Sequence, residues 1–288
     1  MSSPFRPDCL SCKVALVTGG GSGIGYQVTM ELLAHGCAGA LIVGRRKAFL
    51  QKAASMLQQA VKGATVYYAV GDVRKPSDCQ AAVELCRSKF GRLDVLVNGA
   101  AGNFLASARN LSPKGFATVM AIDALGTYNM SHAAFELLSQ HQQGLVLNIS
   151  ATLQYGATWW QAHASAAKAA VDSLTRSLAL EWGSHGIRVV GIAPGPIANT
   201  PGTTKLAPGS SAEQMAKQGI PLGRMGQAFE IGHAAVYLCT AEYVTGDVLV
   251  VDGGQWLYKP PLVPADQVEA LSRQVETKSR SQAPRANL

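Results

Sequence analysis

Eight residues near the start of the chain, Thr18-Gly19-Gly20-Gly21-Ser22-Gly23-Ile24-Gly25, have the make-up of a phosphate-binding turn. They follow an apolar run at 14–17 and precede a helix-length segment. In that setting glycine at 19, 23 and 25 lets backbone N–H groups approach a pyrophosphate, whose charge the helix N-terminal dipole stabilises. Gly21, Ser22 and Ile24 complete the turn. Glycines also serve tight turns that bind nothing, but the strand–turn–helix order favours a dinucleotide. The second apolar run ends Val43-Gly44-Arg45-Arg46. A carboxylate at that spot accepts hydrogen bonds from the adenosine ribose, whereas arginine pairs with a 2′-phosphate. With no carboxylate there, Arg45 and Arg46 point to NADP(H) over NAD(H). The bland alternative makes both of them solvated charges at a helix start, and one could instead face an anionic substrate.

Such a turn needs a buried sheet to hold it. Apolar runs of strand length recur at 14–17, 40–43, 65–70, 94–97, 145–149, 189–192 and 248–251, and helical periodicity fills 23–36, 47–61, 77–90, 114–140, 161–184 and 227–240. The alternation predicts an α/β fold of Rossmann type: a doubly wound, seven-stranded parallel sheet, order 3-2-1-4-5-6-7, in three α/β/α layers. Residues 1–258 are expected to form one domain. A Pro/Gly/Ser-rich stretch at about 195–226 follows a strand's carboxyl end and is expected to act as a substrate flap; 259–288 is a polar tail.

Composition narrows the partners. The 288 residues are 48% hydrophobic and 15% charged, enough to bury a large core, and 25 Lys and Arg against 18 Asp and Glu give a net charge of +7. The basic residues are dispersed, which suits a phosphate-bearing small molecule better than nucleic acid. Six scattered cysteines argue against a disulfide framework, and Cys9-x-x-Cys12 lacks a second ligand pair, so no metal is expected. No apolar stretch approaches the ~18 residues of a membrane span, and no signal core precedes the first strand.

Further motifs carry a resemblance. Thr18-Gly19-x-x-x-Gly23-x-Gly25, Gly71-Asp72-Val73, Asn98-Gly99-Ala100-Ala101-Gly102, Ser150, Lys168, Pro194-Gly195 and Asp252-Gly253-Gly254 together resemble the short-chain dehydrogenase/reductase family over residues 13–256. The resemblance implies that Asp72 and Val73 flank the adenine, that Asn98 to Ala100 line the cofactor cleft, and that Pro194, Gly195 and Ile197 contact the nicotinamide side. One departure stands out. The family usually carries Tyr four residues before its active-site Lys, where it acts as acid for a carbonyl oxygen; here that position is Ala164.

Either catalysis is lost, or the reaction needs no proton on oxygen at that place. The second explanation is the better supported. Reducing a carbon–carbon double bond conjugated to a thioester takes hydride at one carbon and a proton at another, with stabilisation of the enolate oxygen. Within the family the chain is most similar to the 2,4-dienoyl-CoA reductases of the peroxisomal kind, through Ala101-Gly102-Asn103-Phe104-Leu105, Val119-Met120-Ala121-Ile122-Asp123, Ala151-Thr152-Leu153, Ser165-Ala166-Ala167-Lys168 and Ala193-Pro194-Gly195-Pro196-Ile197. Asp123 stands where the wider family usually has Asn. The resemblance implies reduction of a 2,4-dienoyl-CoA to a 3-enoyl-CoA by NADPH.

It also implies roles. Lys168 holds the nicotinamide ribose, and Asp123 orders or polarises a water that protonates the dienolate; Asp123 could otherwise be an ion-paired helix residue. Ser150 bonds the thioester oxygen or caps the following turn, and Asn103 and Phe104 fit the acyl end. Tyr155 and His163 are alternative acids, each with a plainer reading as a loop or helix residue. Arg45, Arg74 and Arg224 are candidate contacts for the phosphates of CoA. Trp159 and Trp160 either shape the acyl pocket or pack in a subunit interface. The ending Ala286-Asn287-Leu288 is similar to a peroxisomal import-receptor signal, Asn287 departing from the basic middle residue. A homotetramer is expected by family analogy. The competing readings are a carbonyl reductase acting on a 3-oxoacyl thioester and a non-catalytic nucleotide-binding scaffold.

Overall fold

The protein was analysed as a computed structural model, which describes residues 3–206 and 216–282. The chain divides into two compact units, Met1–Trp256 and Leu257–Leu288. In the first, strands β1 (Val14–Thr18), β2 (Gly39–Gly44), β3 (Thr65–Val70), β4 (Val95–Asn98), β5 (Gly144–Ile149), β6 (Ile187–Pro194) and β7 (Val248–Val251) form one sheet. Every pairing is parallel and the order is β3-β2-β1-β4-β5-β6-β7, as the sequence predicts.

Central strands are apolar end to end because both of their faces are covered. Ala15 and Val17 face a layer made by α1 (Gly23–Ala34), α2 (Lys47–Ala60) and the helix Ala228–Thr240, with Leu32, Leu57 and Ile231 fully buried. Val14 and Leu16 face α3 (Pro76–Phe90), α5 (Gly126–Ser139) and α6 (Ala162–Trp182), through Val83, Leu137 and Leu178. The order in which strands are added reverses between β1 and β4, and doubly wound sheets bind ligands outside the carboxyl ends of such a pair. The register places Thr18 level with both Val43 and Asn98. Its hydroxyl then accepts from Gly99 N at 3.0 Å and Ala100 N at 3.1 Å, fixing the floor of that crevice.

The structure departs from expectation in two elements. The helix expected over 114–140 is broken into α4 (Pro113–Met120) and α5 by a π-helical turn, Ala121–Leu125. Such turns insert one residue and swing a side chain to a new face, and they cluster at functional sites. The polar tail carries a helix, Val268–Gln282, with Val268, Leu271 and Val275 exposed. Residues 207–215 of the expected flap and the ending Ala286-Asn287-Leu288 lie outside the described residues. The two ends of the 195–226 stretch are tied together, Ala198 N donating to Gly226 O at 2.8 Å and Gly226 N to Pro196 O at 3.0 Å, and the short helix Pro201–Leu206 lies between them in sequence.

Candidate active site

A cleft of about 390 Å³ opens at the carboxyl ends of the central strands. Gly21, Ser22, Gly23, Ile24 and Gly25 form its middle. Two glycines there are steric necessities: a Cβ on Gly19, whose φ is +71°, would lie 2.6 Å from Gly99 O, and one on Gly25 would lie 2.6 Å from Gly19 O. Among the described residues, Ser22 makes no side-chain cap bond to α1 and the first turn of that helix has no acidic residue. That cradle fits a pyrophosphate.

At the β2 end, Arg45 and Arg46 line the cleft, and the Arg46 guanidinium lies 3.9 Å over the Phe49 ring, a cation–π contact. Asp72 and Val73 line it from the β3 side. Arg74, expected to reach CoA, instead closes on Asp72 with Nε 2.9 Å from Oδ1 and Nη2 2.5 Å from Oδ2. Those hydrogen bonds hold the Asp72 carboxyl down at about 2. Arg224 is likewise held, bidentate on Glu230 at 2.9 and 2.8 Å, and is not brought into the cleft.

The far end is built by β5, α6 and the π turn. Lys168 Nζ donates to Ile149 O at 2.9 Å and lies 3.0 Å from Asp123 Oδ2. Asp123 Oδ1 accepts from Gly102 N at 2.7 Å. Both side chains are buried, Asp123 almost wholly, and their charges are compensated within the site. Asp123 is the buried residue of the π turn Ala121–Leu125. Ala164 is packed with Val119 and Ala167, so no acid stands where the wider family has Tyr.

Ser150 is redirected. Its O–H donates to the buried carboxylate of Asp172, which also accepts from Gln154 Nε2 at 2.5 Å. The single hydroxyl proton is therefore not offered to a thioester oxygen. Asn98 is redirected too: its amide donates to Ser131 Oγ and Asn148 Oδ1, both at 2.9 Å, stapling β4 to α5 and β5, while Gly99 and Ala100 line the cleft. Pro194 ends β6, Gly195 and Ile197 follow it, and the lining residues after that strand are Thr200, Pro201 and Gly202.

Asn103 lines the cleft and donates to Gln161 Oε1 at 2.6 Å. Phe104 lies over the His163 ring with centroids 4.3 Å apart. His163 is fully buried, neither ring nitrogen has a hydrogen-bond partner among the described residues, and burial lowers its pKa. Tyr155 packs edge-on against Trp256 at 5.5 Å; burial and Asp172 push its phenol up to about 12, away from the range of a useful acid. Trp159 and Trp160 are exposed, and Trp160 O accepts from Ala106 N at 2.9 Å, joining the loop after β4 to the loop before α6.

Sequence reasoning missed Asp172, Gln154, Gln161, Phe49 and the 200–202 turn. Asp172 alone had a signal, sitting four residues beyond Lys168 on the same helix face. Among the described residues, no cluster of His, Cys, Asp and Glu could hold a metal ion, and no helix is long and apolar enough to cross a membrane.

A dinucleotide cradle, a buried Lys and a doubly wound sheet in this order define a class, and comparison with known proteins agrees: the chain belongs to the short-chain dehydrogenase/reductase family. The family model described as enoyl-(acyl carrier protein) reductase matches residues 19–255. The chain is 50% identical to the peroxisomal 2,4-dienoyl-CoA reductase [(3E)-enoyl-CoA-producing] of Arabidopsis thaliana, covering 98% of this chain and 97% of that one. It is 44% identical to the Danio rerio protein of the same name, covering 96% and 90%. Among solved structures, a short chain dehydrogenase from Bacillus anthracis superposes with a TM-score of 0.77 at 37% identity, over 86% of this chain and 98% of that one. Family and cradle together imply a nicotinamide dinucleotide cofactor.

Proposed function

We propose that this chain reduces 2,4-dienoyl-CoA thioesters to 3-enoyl-CoA with NADPH, in the β-oxidation of unsaturated fatty acids. The carrying observation is the buried ion pair between Asp123 and Lys168, which lines the cleft, together with Ala164 at the position where the family usually has Tyr. The named relatives support the same substrate class. Arg45 and Arg46, which stand directly after β2 where the sequence has no carboxylate, support NADPH over NADH. Their guanidinium groups would hold the 2′-phosphate, the glycine turn the pyrophosphate and Lys168 the nicotinamide ribose.

NADPH, when bound, supplies hydride to the distal carbon of the dienoyl system. The electron pair displaced from that double bond moves to the thioester and forms a dienolate. Lys168 has one N–H left beyond Ile149 O and Asp123, and its positive charge favours the developing anion. Asp123 retains lone pairs on both carboxylate oxygens and orders the water that protonates the α-carbon, leaving the remaining double bond at C3. Asn103 and Phe104 flank the acyl chain.

The chain works as a homotetramer in a peroxisome-type organelle, a reading supported by family analogy, by the relatives' names and by the ending Ala286-Asn287-Leu288, which would engage the import receptor. The test is product identity: purified protein, NADPH and a 2,4-dienoyl-CoA, with the double bond located by mass spectrometry. A 3-enoyl-CoA is expected. Recovery of a 2-enoyl-CoA, or no product, overturns the reading.

A further inference from the structure

α2 begins with a residue that does not suit a helix start. Arg46 is its N-cap, a position where Ser, Thr, Asp or Asn would accept from the first free N–H groups, and no side-chain cap bond is made there. The first turn has no acidic residue to offset the arginine charge at the helix's positive end. Three residues on stands Phe49, 53% exposed and outside the buried stripe of Leu50, Ala53, Ala54 and Leu57 that packs α2 into the core. Core packing therefore does not account for Phe49. Its neighbour Leu50 lies against the glycine turn, where a Cβ on Gly21 would come within 3.3 Å of Leu50 Cδ2, and Gly21, Arg46 and Phe49 all line the cleft.

The Arg46 guanidinium carbon lies 3.9 Å over the Phe49 ring. A guanidinium is planar, so a ring against its face fixes its orientation while the five N–H donors, which lie in the plane, keep their hydrogen-bonding capacity. The two other arginines expected at phosphates are fixed differently, Arg74 by Asp72 and Arg224 by Glu230, and there the carboxylate takes up donors and compensates the charge. Among the described residues Arg46 has no ion-pair partner. An arginine oriented by a ring is ready for an incoming anion; one oriented by a carboxylate is not. We propose that Phe49 is a positioning residue for cofactor selection: its ring holds the Arg46 guanidinium at the cleft with donors and charge free for the 2′-phosphate of NADPH. The inference rests on the NADPH reading of the Arg45 and Arg46 end.

The experiment is equilibrium titration of the full chain with NADPH and with NADH, which differ only at the 2′-phosphate, so the ratio of the two affinities isolates that group. Phe49→Leu should weaken NADPH binding about two- to fivefold, the size of one exposed cation–π contact, and leave NADH binding unchanged. Phe49→Tyr, which keeps a ring under the guanidinium, should keep the wild-type ratio. In an Arg46→Ala background there is no guanidinium to hold, and Phe49→Leu should change the ratio no further. A direct contact of Phe49 with the adenosine, common to both nucleotides, would weaken both together. That result overturns the inference, as does an unchanged ratio in Phe49→Leu, a Phe49→Tyr that behaves like Phe49→Leu, or an equal loss in the Arg46→Ala background. A wild type that binds both nucleotides equally overturns the NADPH reading, and this inference with it; a wild-type preference that survives in Phe49→Leu overturns the inference alone.

Discussion

The Lys168 ammonium lies 3.0 Å from the Asp123 carboxylate, with 9% of one side chain and 1% of the other exposed to solvent. A pair so placed ties stability to chemistry, because either charge left alone inside the protein is costly. Gly102 N, Ile149 O and the pair itself satisfy part of the bonding capacity of the two groups, and Lys168 lines the cleft.

Asp123→Ala should therefore destabilise the fold by about 3 kcal/mol, the penalty of an uncompensated buried charge, and should abolish turnover. Replacing both partners together, Asp123→Leu with Lys168→Met, should recover most of that stability and none of the turnover. Urea unfolding beside an activity assay separates the two effects. A single variant as stable and as active as the wild type contradicts the role of the pair.

Arg45→Asp combined with Arg46→Ser should reverse cofactor preference. Each charge-assisted bond to a 2′-phosphate is worth about 1.5–3 kcal/mol, so NADPH affinity should fall by about tenfold or more while NADH affinity rises. Titration with both nucleotides checks it. An unchanged ratio removes the arginines from cofactor selection and leaves Arg46 as a surface charge stacked on Phe49.

His163 gives a pH dependence of stability with a definite sign. Burial lowers its pKa from the ordinary 6.5, so below that value the unfolded chain takes up a proton that the folded chain refuses. Stability is full above pH 6.5 and falls as the pH drops toward the depressed value. His163→Phe, which keeps an aromatic ring against Phe104, should flatten that fall below pH 6.5. Thermal unfolding across this window is the measurement, and an identical slope in the variant contradicts the assignment.

The strand and helix alternation made the sheet order legible, because buried parallel strands read as short apolar runs and need helices between them. The glycine turn was legible for the same reason: its neighbours on either side reveal what it joins. The π turn was not. Residues 113–139 carry apolar residues at helical spacing throughout, and Asp123, buried in that turn, is bonded to Gly102 and Lys168, partners remote in sequence. Ser150 and Asn98 were placed in the site by motif alone; their hydrogen bonds run to Asp172, Ser131 and Asn148, on elements brought together only by folding. The tail helix escaped because its apolar residues, Val268, Leu271 and Val275, are few among polar neighbours.

The central claim is that a site with Lys168 and Asp123, and with Ala164 in place of a phenol, reduces a conjugated carbon–carbon bond and not a ketone. Its most direct test is the ratio of kcat/KM for a 2,4-dienoyl-CoA to that for a 3-oxoacyl-CoA of equal chain length, followed by NADPH oxidation on one preparation. The account predicts at least about a hundredfold preference for the dienoyl thioester, the size of a missing general acid. Equal or greater turnover of the 3-oxoacyl thioester would contradict it.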